Sequence, residues 1–143
     1  MEIRTIQPFL HYFGNVRGRT MRVARCIPPD KLDWSYAPGK FTLGDLLRHI
    51  AVAERFVWAE TLQGHKSRYT THGKELADGY KNVIRFLKRK CKTPHDAEIK
   101  KWKWLRLMVE HEIHHRGQIY LCLGMLSVPT PPTYGLTSEQ VRA

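Results

Sequence analysis

A chain of 143 residues and 16.8 kDa, 42% hydrophobic and 26% charged, fits one globular domain and excludes a multidomain machine, a collagen-like fibre and a disordered chain. Its 24 Lys and Arg against 13 Asp and Glu leave a formal charge of +11, which favours an anionic partner without choosing among nucleic acid, a membrane surface and a small acidic substrate. The longest apolar run, Ile119 to Leu126, is far shorter than the roughly 20 residues that cross a bilayer.

The opening residues carry no secretory signal, and Cys26, Cys91 and Cys122 are too widely spaced for a disulfide framework or a CxxC motif, so a reduced, cytoplasmic setting is expected. Breakers divide the sequence into four long helical stretches, and no segment sustains the alternation of a strand. The expected fold is therefore all-α, a four-helix bundle forming a single domain over residues 1–143.

The first helix is expected from Thr5 to Cys26, with Pro8 in its opening turn, Phe9, Phe13, Val16 and Val23 on one face, and Pro28-Pro29 as the stop. A connector over 27–41 follows, rich in Pro, Asp and Gly but carrying Trp34 and Tyr36, so the connector should pack against the body. Thr42 then caps the second helix in a capping box with Asp45, and Leu43, Leu46, Leu47, Ile50, Ala53 and Val57 form its apolar stripe as far as Gly64. A third helix is expected over 72–92, with a very basic polar face. Thr93-Pro94-His95-Asp96 starts the fourth, which should reach Leu126. An extended tail occupies 127–143, its end from Tyr134 loosely held.

Eight histidines are many for this length, and helical phase sorts them. The apolar arc of the fourth helix is built by Trp104, Leu105, Met108, Val109, Ile119, Cys122, Leu123 and Leu126. His115 falls within that arc and His111 one turn back on its rim, so the two imidazoles can reach one cation. His114 points to the polar side. On the second helix His49 sits at the edge of the apolar stripe. If helices two and four are neighbours, His49 completes a three-nitrogen site that leaves coordination positions open.

Other residues invite two readings each. Glu112 lies in the middle of the apolar arc, where a lone carboxylate is costly. It is expected either to pair with Arg116, four residues on, or to accept a hydrogen bond that orients a metal-bound imidazole. Trp34 and Tyr120 are expected in the core, the alternative being a pocket wall, and Cys122 reads as a small buried hydrophobe. Between Lys81 and Arg106, ten basic residues face only Asp96 and Glu98, a local net of +8. Trp102 and Trp104 alternate there with lysines, but no nucleic-acid-binding motif accompanies them.

Three stretches, FTLGDLLRHI over 41–50, EHEIHHRGQI over 110–119, and Pro129 through Tyr134-Gly-Leu-Thr137, together resemble the DinB/YfiT-like family, the damage-inducible metalloproteins unrelated to the DNA polymerase of the same name. The resemblance covers most of the chain. It implies an up-down-down-up four-helix bundle, often a homodimer, binding zinc or nickel through histidines that correspond to His49, His111 and His115. It also implies a relation to S-transferases that use low-molecular-weight thiols such as bacillithiol or mycothiol, although many family members have no known reaction. On sequence grounds three readings compete. The first is a metal-dependent transferase or hydrolase acting on a small molecule, with an anionic thiol as partner. The others are a non-catalytic metal-binding stress-response bundle and a nucleic-acid-binding helical protein.

Overall fold

The computed structural model describes residues 3–59 and 101–135, and the regular elements among them are helices. Helix α1 spans Ile6–Ala24, a 3-10 turn spans Pro29–Lys31, and α2 spans Leu43–Val52 before passing into a π-helical segment over Ala53–Ala59. The last helix, here α3, spans Trp102–Met125. The helix expected over 72–92, the start signal at Thr93 to Asp96, the end of helix two near Gly64, most of the basic segment and the tail beyond Gly135 lie outside the described residues.

Helix α1 forms where its stripe predicts, and Phe9, Phe13, Val16 and Val23 are all buried. Pro8 removes an N–H that the first turn could not pair in any case. Phe9 and Phe13 stack with ring centroids 5.9 Å apart, and burying each contributes about 1.5–3 kcal/mol.

The start of α2 shows how the connector positions the site. The Thr42 hydroxyl accepts from the Asp45 N–H at 3.0 Å, and the Asp45 carboxylate accepts from the Thr42 N–H at 3.2 Å, completing the expected box. The remaining N–H groups of the first turn donate to backbone carbonyls: Leu43 to Trp34 at 3.0 Å, Gly44 to Leu32 at 2.8 Å and Leu46 to Thr42 at 3.0 Å. The helix is thereby tied to the connector, and Gly44 is needed for the approach, since a Cβ there would lie 3.1 Å from the Leu32 carbonyl oxygen. Trp34 packs against the core as expected. Tyr36 is 52% exposed and borders a hollow shared with Leu46 and with Gln118, Leu121 and Cys122 of the last helix.

Helix α3 begins later than the sequence indicates. Lys101 has φ −113° and ψ 38°, outside the α region, so no single helix runs unbroken from Pro94. The first turn is instead anchored by Trp102, whose ring meets Phe9 edge-on at 5.9 Å. At the other end Ser127, with φ 55°, closes a Schellman turn in which Val128 donates to Leu123 and Ser127 to Gly124.

Helix α3 packs against both α1 and α2. One cluster joins Phe9, Phe13 and Val16 to Leu105, Met108 and Val109; the other joins Val23, Leu43, Leu46 and Ile50 to Ile119, Cys122 and Leu123. Early residues of α1 thus meet early residues of α3, whereas the start of α2 meets the end of α3. Helices α1 and α3 run parallel and α2 antiparallel to them, the directions that an up-down-down-up order gives its first, second and fourth helices.

Candidate metal centre

The antiparallel pairing of α2 with α3 brings His49 against His111 and His115, which occupy successive turns of one α3 face. The Nε2 atoms of His49 and His111 are 3.1 Å apart. His49 and His115 rings lie 4.5 Å apart between centroids, as do those of His111 and His115. One ligand nitrogen from each residue falls within 4.8 Å of the others. His114 touches the His115 ring from outside but is exposed, as its phase predicts.

Protonation, tautomer, ring packing and spacing make the three rings suitable donors. Burial pushes each imidazole below its ordinary value, with His111 reaching about 4 as the neighbouring histidines add to the effect, so all three favour the neutral form. The Nδ1–H of His115 donates to Gln118 Oε1 at 2.6 Å, which fixes the tautomer and leaves Nε2 with its lone pair. The hydrophobic faces of Phe41, 5.3 Å from the His49 ring, and Trp58, 6.0 Å from the His111 ring, hold the rings from either side. Nitrogens bound to one tetrahedral cation at about 2.0–2.1 Å stand about 3.3 Å apart, so the His49 to His111 separation fits a shared divalent ion.

Gln118 escaped the sequence reading, although its position three residues after His115 was a usable signal. Glu112 also has a different partner from the one expected. It is 2% exposed, but its carboxylate lies 2.9 Å from Arg17 Nη2 of α1, while Arg116 donates instead to the Val16 carbonyl at 3.3 Å. Nor does Glu112 hydrogen-bond an imidazole: Gln118 takes the orienting role at His115. The physical reason is that α1 lies directly over this face of α3, and its buried guanidinium is closer than a side chain one turn along.

Arg17 also pairs with Glu54, from the π-helical segment, forming a buried carboxylate–guanidinium–carboxylate cluster. Two acids with one guanidinium leave an excess negative charge away from water. Burial therefore pushes the Glu54 carboxyl up to about 7, with Arg17 opposing the rise and Glu112 adding to it. Neither residue was singled out from sequence, yet Arg17 is four residues after Phe13 and Glu54 four after Ile50, both on apolar stripes.

Cys122 is buried as expected, and burial pushes its thiol up, away from the reactive thiolate. Tyr120 packs against the core and donates to the Pro131 carbonyl, so the segment after α3 is held down; Arg19 stacks over Tyr134 at 4.9 Å. Trp104 meets Trp58 and has Lys103 over its ring at 5.2 Å, while Trp102 meets Phe9, so both indoles have partners within the protein. No helix among the described residues is long and apolar enough to cross a membrane.

Comparison with known proteins bears on the fold and the family. The chain is similar to a DinB-like protein from Bacillus cereus of known crystal structure, at 23% identity and a TM-score of 0.63, with 92% of this chain and 99% of that one covered. No curated protein matches it. The DinB superfamily model matches residues 12–84, which include His49, and the DinB family model matches residues 68–142, just over half of the chain, which include His111 and His115. The chain belongs to the DinB family.

Proposed function

We propose that His49, His111 and His115 hold one divalent cation, zinc or nickel, and that the protein is a metal-dependent enzyme transferring a low-molecular-weight thiol to a small electrophile. The observation that carries the reading is the convergence of three imidazoles, two of them 3.1 Å apart at Nε2, on a position that the protein leaves without a fourth side-chain ligand among the described residues. Bound there, the cation would supply Lewis acidity, holding a thiol as its thiolate at neutral pH.

The protein's own contribution is preorganisation. Gln118 holds the His115 ring in one tautomer, Phe41 and Trp58 restrict the other two rings, and the low-dielectric surroundings keep all three neutral. The charge of +11 would draw an anionic thiol toward the protein, raising its encounter rate. The proposal extends to a single domain that works as a cytoplasmic homodimer, with no role for nucleic acid.

The test is elemental analysis of the purified protein and of His115→Ala, followed by thiol-transfer assays with and without chelator. About one equivalent of zinc or nickel, lost in the variant, and turnover that chelation abolishes are the expected results. Full metal occupancy in His115→Ala, or turnover indifferent to chelation, would overturn the reading.

A further inference from the structure

Next to the histidine cluster lies a concave pocket of about 400 Å³, inside the ~300–1,000 Å³ range of small-molecule sites. Tyr36, Phe41, Leu121 and Cys122 supply apolar surface to it, and Lys40 and Gln118 supply polar groups. Three of these apolar residues are unusually open for their type: Tyr36 is 52%, Phe41 49% and Leu121 59% exposed. They come from the connector and from α3, and they converge on one hollow rather than scattering over the surface.

The pocket shares two of its residues with the histidine cluster. Phe41 contacts the His49 ring, and Gln118, whose Oε1 accepts from His115, retains an amide NH₂ to donate elsewhere. Lys40 is the one charged side chain in the lining. It is held by a turn in which its N–H donates to the Ala37 carbonyl at 3.2 Å, with Pro38 and then Gly39, at φ 73°, in the middle positions, as a type II turn requires. No ion pair engages the Lys40 ammonium among the described residues. An apolar hollow with one cation and one amide donor has the chemistry to recognise a small organic anion.

We infer that this pocket binds a small organic acid with an aromatic or alkyl body, its acidic group toward Lys40 and the Gln118 amide. The hollow is too small for a protein segment of the size that stable interfaces bury, about 800 Å² per partner, and its lone cation suits a single acidic group.

The experiment uses two fluorescent probes with one ring system, anilinonaphthalene sulfonate and the neutral phenylnaphthylamine, titrated into the full chain. The sulfonate should bind saturably at one per chain and more tightly than the neutral probe. Lys40→Met should weaken the sulfonate about three- to tenfold and leave the neutral probe unchanged. Leu121→Asp, at a position 59% exposed, should weaken both. Absence of saturable binding, or a Lys40→Met variant that shifts both probes equally or neither, overturns the inference. Metal content measured on the same samples keeps the two proposals apart: metal-loaded protein that fails the probe test ends the pocket inference alone, and metal-free protein that passes it ends the metal reading alone.

Discussion

Glu54→Gln tests the buried charge cluster through the pH dependence of stability. Glu54 is 2% exposed, and its carboxyl is raised from 4.5 to about 7, chiefly because burial penalises the ionised form. The folded value lies above the unfolded one, so the folded state binds the proton more tightly. The resulting stabilisation is complete below pH 4.5 and is lost as the pH rises through 7. At about 1.4 kcal/mol per pH unit, the gap from 4.5 to about 7 corresponds to about 3–4 kcal/mol. The histidines act with the opposite sign, since their values are lowered on folding, but they are present in both proteins and drop out of the difference. Urea unfolding followed by circular dichroism from pH 5 to 8, with chelator throughout, gives that difference directly. Relative to the variant, the wild type should lose about 2–3 kcal/mol across the range. A flat difference would refute the reasoning. So would a wild type that gains on the variant as pH rises, because that would mean Arg17 stabilises the ionised carboxylate more than burial penalises it.

Gln118→Leu should weaken zinc binding about 10- to 100-fold in calorimetric titrations, since it frees the His115 ring to turn and change tautomer; unchanged affinity would remove Gln118 from the centre. A double-mutant cycle should couple Glu112 to Arg17 by more than about 1 kcal/mol and Glu112 to Arg116 by almost nothing, and the reverse ranking would restore the pairing expected from sequence. Ser127→Gly should raise stability by about 0.5–1 kcal/mol in denaturant melts, because the left-handed φ of 55° strains a residue with a Cβ; a loss of stability would show that the serine side chain compensates.

Much of this protein can be read from local sequence, because helical phase and capping are local properties. A period of 3.6 residues places Phe9, Phe13, Val16 and Val23 on one face and His111 with His115 on another, whatever the rest of the chain does. Thr42 and Asp45 close their capping box with neighbours three residues away. The same phase puts Arg17, Glu54 and Glu112 on inward faces, so their burial was legible, although only Glu112 drew notice.

What phase leaves open is which inward faces meet. Glu112 could reach Arg116 along its own helix, yet it lies against Arg17 because α1 runs parallel to α3 and sets a guanidinium 2.9 Å away. His49 is an ordinary boundary histidine until the antiparallel approach of α2 carries its Nε2 to within 3.1 Å of His111. The exposure of Tyr36, the late start of α3 at Trp102 and the pocket between connector and α3 have the same origin. Each depends on how separate segments dock, and docking is decided by the mutual fit of whole faces, which no window of sequence contains.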